Sequence, residues 1–199
     1  MNETLILFSG FVTSFFCGSI PFALIASKMK GVDIRLHGSG NVGATNAWRV
    51  LGKKIGVIVF LADFLKGFLP VFIFDNTAVA HSSKLLILMI GASAILGHVF
   101  SPFLGFKGGK GVATGAGVLA SSFPAIFVIV VASWIVTFQL TRIVSISSLV
   151  AVAILLISSI LCKEAKEVEI FFLCIFIFVL WTHRSNISRL FSGQEKRLS

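Results

Sequence analysis

Charge is what this chain has least of. Only 13% of its 199 residues are Asp, Glu, Lys or Arg, against about a quarter in an ordinary soluble domain. With 56% hydrophobic residues and a mean hydropathy of +1.00, there is too little polar surface to cover a water-soluble core. Cysteine is scarce as well. Cys17, Cys162 and Cys174 are scattered, odd in number and placed in or beside apolar runs. That pattern gives no metal-ligand spacing and reads as packing rather than a disulfide or zinc site. The start, Met1-Asn2-Glu3-Thr4, lacks the basic stretch that opens a signal peptide, and its apolar run is too long for one. The run therefore reads as a retained first span with its N-terminus outside. No internal repeat, low-complexity tract or soluble domain is visible.

What is present is a series of long apolar runs. Leu5–Ala26, Ile55–Phe74, Leu85–Leu104, Ile143–Leu161 and Val168–Trp181 approach or exceed the ~20 residues that cross a bilayer. Between Val112 and Leu140 lies a longer stretch, either one tilted span or two spans broken at Ser121-Ser122-Phe123-Pro124. Charge chooses between them. Two spans put most of the 17 basic residues on the inside, in segments 27–54 and 105–111, near Arg142 and in the tail from His183. One span would send the basic tail to the other side. The positive-inside rule thus favours seven spans, with the C-terminus cytoplasmic. The cost is a first piece, Val112–Phe123, only about 18 Å long as a helix. Gly111, Gly115, Ala116 and Ala120 offer it a stripe for close packing. The net charge of +9 would suggest nucleic acid in a soluble protein. In a membrane chain it marks the inner loops and suits anionic head groups or substrates, with no nucleic acid involved.

Three polar clusters stand out against this background. The first is Gly38-Ser39-Gly40-Asn41-Val42-Gly43-Ala44-Thr45-Asn46, with Arg35 and His37 before it and Arg49 after. Gly38, Gly40 and Gly43 match the dinucleotide fingerprint, but the loop lies between two membrane spans rather than inside a strand–helix–strand unit. The shared physics remains: glycines let backbone N–H groups converge on an anion, Ser39, Asn41 and Asn46 add polar groups, and Arg49 can clamp a phosphate. The plain alternative is a polar turn with helix caps. The second cluster runs from Gly97-His98 to Thr114 and contains Gly105-Phe106-Lys107-Gly108-Gly109-Lys110-Gly111. It is not a Walker A loop, since Leu104 stands at its first glycine and Gly111 follows Lys110 where Ser or Thr would bind magnesium. Lys-Gly-Gly-Lys-Gly opening a helix nevertheless suits a phosphate: bare amides, a helix N-terminus and two ammonium groups. An ordinary positive-inside loop accounts for the lysines but not for the density of glycine.

The third cluster is Thr182-His183-Arg184-Ser185-Asn186-Ile187-Ser188-Arg189. A basic stop at the membrane surface explains its arginines. It does not call for His183 and Asn186, which share a helix face at i and i+3. The tail after Arg189 reads as a short polar end. Within the second span, Asp63 and Lys66 are also spaced i and i+3. Charges at that depth pair and face protein or a cavity, which makes them a structural ion pair or, second, a substrate contact. His81 has no polar company and is given no role.

Together the clusters resemble one family. Gly38–Arg49 follows G-S-G-N-x-G-A-T-N-x-x-R, the second cluster follows G-H-x-F and then F-K-G-G-K-G-V-A-T, and the third follows T-H-R-x-N-I-x-R. These are similar to the bacterial membrane glycerol-3-phosphate acyltransferases that use acyl phosphate (the PlsY family). Gly18-Ser19-Ile20-Pro21-Phe22 and Asp63–Gly67 also resemble family positions, and Ala23 stands where the family often has glycine. The resemblance runs nearly end to end. It implies an all-α integral membrane protein of seven transmembrane helices, a single membrane domain over 1–199 with active-site loops at about 27–54, 97–111 and 182–189. It implies a bacterial cytoplasmic (inner) membrane location with the site facing the cytoplasm. It also implies the reaction: an acyl group passes from acyl phosphate to the 1-hydroxyl of sn-glycerol 3-phosphate, giving lysophosphatidic acid and phosphate, the first step of phospholipid synthesis.

Two phosphorylated substrates need two anion sites. The expectation is that Lys107, Gly108, Gly109, Lys110 and Gly111 hold the acyl phosphate and that Ser39 with Arg49 holds glycerol 3-phosphate, with His98, Asn41 and Asn46 as further substrate-binding residues. Ser39, Lys110, His183 and Asn186 form the expected catalytic set. Lys110 and backbone amides would stabilise the oxyanion and departing phosphate. Either His183 or the donor's own phosphate takes the hydroxyl proton, with Asn186 orienting substrate. Ser39 as an acyl-enzyme nucleophile is less favoured, because no His–carboxylate pair accompanies it. No metal, cofactor or obligate protein partner is expected. The rivals are an organophosphate transporter, which would need midplane polar groups and paired repeats, and a lipid-binding scaffold, which has no use for two separate glycine loops.

Overall fold

The computed structural model describes residues 3–76 and 83–198, so His81 lies outside the described residues. The chain divides after Ser122 into two compact units. The first carries α1 (Glu3–Ser19), α2 (Phe22–Lys28), α3 (Ala44–Leu51), α4 (Lys53–Asp75), α5 (Lys84–Val99) and α6 (Val112–Ser122). The second carries α7 (Pro124–Thr141), α8 (Val144–Leu161), α9 (Lys166–Thr182) and α10 (Arg184–Phe191). Among the described residues, 5 segments are long and apolar enough to cross a membrane: Thr4–Lys28, Lys53–Asp75, Lys84–Leu104, Pro124–Thr141 and Val144–Leu161. A sixth is reached if α9 and α10, bent by 60° at His183, count as one span. α6 is apolar but has only 11 residues.

The stretch from Val112 to Leu140 is two helices. α6 ends at Ser122, Phe123 leaves the helical region at φ −139° and ψ 68°, and Pro124 opens α7. A residue before proline is pushed out of the α region by the proline ring. The same chemistry breaks the first apolar run. Pro21 cannot donate a backbone hydrogen bond, and α1 stops at Ser19 before α2 begins at Phe22. The carbonyls at that break take donors from other helices and loops: Ser101 Oγ donates to the Ser19 carbonyl at 2.7 Å, and Lys66 Nζ at 3.0 Å joins the Phe22 N–H on the Ile20 carbonyl. Inside a bilayer no water could serve them.

Glycines set the helix crossings of the first unit. A Cβ on Gly67 of α4 would strike the Thr114 carbonyl of α6, and one on Gly117 of α6 would strike the Phe64 carbonyl of α4. α1 and α5 repeat this reciprocity, Gly18 lying on the Ala94 carbonyl and Gly97 on the Phe15 carbonyl. Lipid tails are as apolar as leucine, so helices associate here by such close backbone approach. This corrects the packing stripe expected from sequence. Gly115 faces Ile95 at an ordinary distance of 3.6 Å, and Gly111 serves a left-handed turn at φ +80°. The glycine that α6 buries against α4 is Gly117.

In the second unit α7 packs on α8 and α8 on α9. Trp134 stacks on Phe138 at 5.1 Å and donates its indole N–H to Ser148 Oγ at 3.3 Å. Phe123 meets Phe172 edge-on at 5.5 Å. α7 keeps large apolar side chains such as Val128, Ile129 and Val136 exposed, as a helix does when its solvent is lipid.

Candidate active site

The first loop is built around Asn46. This side chain is 1% exposed, and both ends of its amide are used. Nδ2 donates to the carbonyls of Ile34 (3.2 Å) and His37 (3.0 Å), while Oδ1 accepts the N–H of Ser39 at 2.8 Å. Gly38 sits at φ +65°, and a Cβ there would land on Asn46 Oδ1. Only glycine meets both demands at that position. Asn46 is thus the staple that gives the loop its shape, leaving the Ser39 side chain exposed and Asn41 and Arg49 half-buried. Arg35 has a local partner: Asp33 accepts its backbone N–H at 3.0 Å, Nε at 2.9 Å and Nη2 at 2.7 Å. These hydrogen bonds, from the Arg35 side chain first, hold the Asp33 carboxyl down to about 2 and raise Arg35 in turn. His37 is exposed and gives its carbonyl to Asn46.

The second loop uses its glycines differently from the bare-amide expectation. The N–H of Gly108 donates to the Val99 carbonyl at 2.9 Å and that of Gly109 to the His98 carbonyl at 3.1 Å. Both carbonyls belong to the last turn of α5, where carbonyls lack helical partners. The Gly-Gly pair therefore caps α5. No side chain fits: a Cβ on Gly108 would strike the His98 carbonyl, and one on Gly109 the His98 ring at Nε2. The anion-binding potential moves one step along the chain. Gly111 turns at φ +80° into α6, whose first-turn amides lack helical acceptors and carry the positive end of the helix dipole. Lys110 stands half-buried at that entrance and Lys107 is exposed.

Beneath both loops lies a polar group set inside the helices. Lys66 Nζ is 2.8 Å from Asp63 Oδ1, and His98 Nδ1 is 3.8 Å from the same oxygen; the three side chains are 3%, 2% and 8% exposed. They border a narrow crevice together with Ser19, Ile20, Pro21, Val42, Leu104 and Gly109. Val42 comes from the first loop and Gly109 from the second, so the two glycine loops meet over this cluster. Sequence spacing gave the Asp63–Lys66 pair. It gave no sign that His98 would join them, because His98 lies on another helix.

The third cluster belongs to the second unit. His183 is the hinge between α9 and α10, and its side chain is buried. Its Nδ1 lies 2.9 Å from the Val179 carbonyl and 3.3 Å from Thr182 Oγ1. A carbonyl only accepts, so Nδ1 carries the hydrogen and Nε2 is the basic nitrogen of the neutral ring. Asn186 Nδ2 donates to Glu195 Oε1 at 2.6 Å, Ser145 Oγ to the same oxygen at 2.8 Å, and Arg189 Nε to Oε2 at 2.7 Å. Burial pushes the Glu195 carboxyl up, but these three hydrogen bonds and the Arg189 charge together hold it below its ordinary value. The tail is therefore more than a polar end. Its Leu198 N–H also returns to the Arg142 carbonyl at 2.8 Å. Glu195 was missed in sequence because its partners are scattered from 145 to 189. Among the described residues no three His, Cys, Asp or Glu side chains group as metal ligands.

A family model described as glycerol-3-phosphate acyltransferase matches residues 8–193. The chain is 41% identical to the glycerol-3-phosphate acyltransferase of Fusobacterium nucleatum over 187 residues, covering 94% of this chain and 95% of that one. It is 41% identical to that of Aquifex aeolicus over 188 residues, covering 94% and 96%. Among solved structures it is similar to two crystal structures of PlsY (YgiH), an integral membrane glycerol 3-phosphate acyltransferase. The glycerol 3-phosphate form superposes with a TM-score of 0.90 and the lysophosphatidic acid form with 0.87, each at 38% identity over 100% of this chain and 96% of that one.

Proposed function

This chain belongs to the glycerol-3-phosphate acyltransferase family and is a membrane acyltransferase of phospholipid synthesis, and from that premise we propose that it takes its acyl group from acyl phosphate. The 1-hydroxyl of sn-glycerol 3-phosphate attacks the acyl carbonyl, the carbon–oxygen bond to phosphate breaks, and lysophosphatidic acid and inorganic phosphate leave. The hydroxyl proton ends on the departing phosphate, directly or by way of His183. Both substrates are anions, and the observation that carries this reading is that two glycine loops, each followed by a cation, border one crevice through Val42 and Gly109. Lys110 and the first amides of α6 receive the donor's phosphate, with Lys107 at the rim. One such donor, aimed at charge that develops in the transition state, is worth about 3 kcal/mol. Ser39, Asn41 and Arg49 receive glycerol 3-phosphate. Asn46, Gly108, Gly109 and His98 act by shaping the two loops, and Gly111 by turning the chain into α6.

His183 fits a general base because the Val179 carbonyl leaves Nε2 as its proton acceptor. Asn186, tethered to Glu195, orients substrate. Direct transfer is favoured over a Ser39 acyl-enzyme. The segments at about 27–54, 97–111 and 182–189 carry the reaction. The distribution of Lys and Arg supports seven spans, an N-terminus outside and a reaction on the cytoplasmic side of the bacterial inner membrane. An assay of the purified protein with glycerol 3-phosphate tests the donor. Transfer from palmitoyl phosphate and none from palmitoyl-CoA is expected, and the reverse result overturns the proposal.

A further inference from the structure

We propose that the buried Asp63–Lys66 pair is a positioning device for the glycine–lysine loop, with Asp63 acting through His98. A pair that served only to neutralise two charges would need no third group. Here Asp63 Oδ1 faces both Lys66 Nζ at 2.8 Å and His98 Nδ1 at 3.8 Å. The second distance is too long for a hydrogen bond and acts as electrostatic orientation of the ring. The ring in turn is the surface on which the loop lies. Gly109 is packed so closely on Nε2 that no Cβ fits, and the backbone carbonyls of His98 and Val99 take the N–H groups of Gly109 and Gly108. Lys110 is the next residue.

Lys66 anchors the other side of the same device. It donates to the Ile20 carbonyl at the break before Pro21, and the adjoining Ser19 carbonyl takes Ser101 Oγ. Ser101 then accepts the N–H of Phe106 on its own carbonyl at 2.8 Å. The loop is thus tied at Ser101, Gly108 and Gly109: Gly109 rests on His98 itself, Gly108 on the next carbonyl of α5, and Ser101 on the Ser19 carbonyl beside the one that Lys66 holds. Asp63 is a positioning residue: it touches no reacting atom, and its effect on turnover passes through the place where Lys110 is held. The kinetic consequence rests on the acyl-phosphate reading above; the geometry does not.

The test uses the full chain in detergent and has two readouts. In Asp63→Asn the Gly108 and Gly109 amides should exchange hydrogen about tenfold faster, while α8 exchanges as in the parent. The kcat for transfer from palmitoyl phosphate should fall about tenfold with the KM for glycerol 3-phosphate held within about threefold, the signature of a displaced Lys110 loop beside an undisturbed acceptor site. Should Asp63→Asn fail to fold because Lys66 is left unpaired, Asp63→Asn/Lys66→Met removes both charges, and the same two readouts apply. His98→Gln should loosen the same amides with the pair intact. Unchanged exchange at Gly108 and Gly109 overturns the proposal, as does exchange that quickens equally in α8, which would make the pair a plain stabiliser. A parent protein that transfers nothing from palmitoyl phosphate would remove the donor reading alone, since amide exchange still decides the positioning.

Discussion

The two units each bury a carboxylate, and they do so by opposite means. Asp63 in the first unit sits within a membrane-length helix beside a lysine one turn away. Glu195 in the second unit sits in the tail and is held by Ser145, Asn186 and Arg189. Asp63 neutralises Lys66, whose ammonium reaches the Ile20 carbonyl where proline has broken the backbone. Glu195 closes a ring of donors at helix ends. Placement inside an apolar helix against placement at helix ends is the difference, and it teaches that the first carboxylate is costly to lose and the second costly to loosen.

Removing Lys66 strikes hardest at that comparison. Lys66→Met leaves Asp63 buried and unpaired and takes one of two donors from the Ile20 carbonyl, which keeps the Phe22 N–H; a loss of about 3–5 kcal/mol is expected, visible as a large fall in thermal unfolding temperature in detergent. Asp63→Asn added to it should restore much of the loss, and a single variant as stable as the parent would mean the pair is wet. Next in size, Lys110→Ala should cut kcat by about 100-fold or more while the protein stays folded; near-normal turnover would remove Lys110 from the donor's phosphate. For Glu195→Gln the expected loss is smaller, about 1.5–3 kcal/mol for hydrogen bonds to a charged group, and kcat should fall as Asn186 is released. Because the Glu195 carboxyl is held below its ordinary value, its contribution is present above the unfolded-state value of about 4.3 and is lost as pH falls through its lower folded value. Tail amides near Leu198 should therefore lose exchange protection only in acid, and protection already lost at neutral pH would remove Glu195 as the group that holds the tail. Smallest, Arg49→Ala should raise the KM for glycerol 3-phosphate about tenfold with the palmitoyl phosphate KM unchanged. An unaltered KM for glycerol 3-phosphate takes Arg49 out of that subsite.

Much of this molecule was legible before any coordinates. The apolar runs appear as helices, the break at Phe123–Pro124 is where proline demanded it, and the motif resemblance led to the family. The candidate site was legible as a list of residues and less so as a division of labour. Asn46 looked like a ligand group and is a staple, because its three backbone partners lie 7 to 12 residues away in a loop whose path no periodicity describes. Gly108 and Gly109 looked like bare amides and are a cap on α5, because glycine's freedom does not say which carbonyl its N–H will reach.

By itself the sequence determined which segments are apolar enough for lipid, which loops concentrate cations and glycine, and to which family the chain belongs, since hydropathy, charge and motif spacing are properties of neighbours along the chain. Tertiary structure alone decided that His98 joins Asp63 and Lys66, that Gly117 rather than Gly115 lies on α4, and that Glu195 holds Asn186. Those contacts join positions far apart in sequence, and they exist because buried carbonyls and carboxylates, once shut away from water, take whichever donor the packing brings within reach.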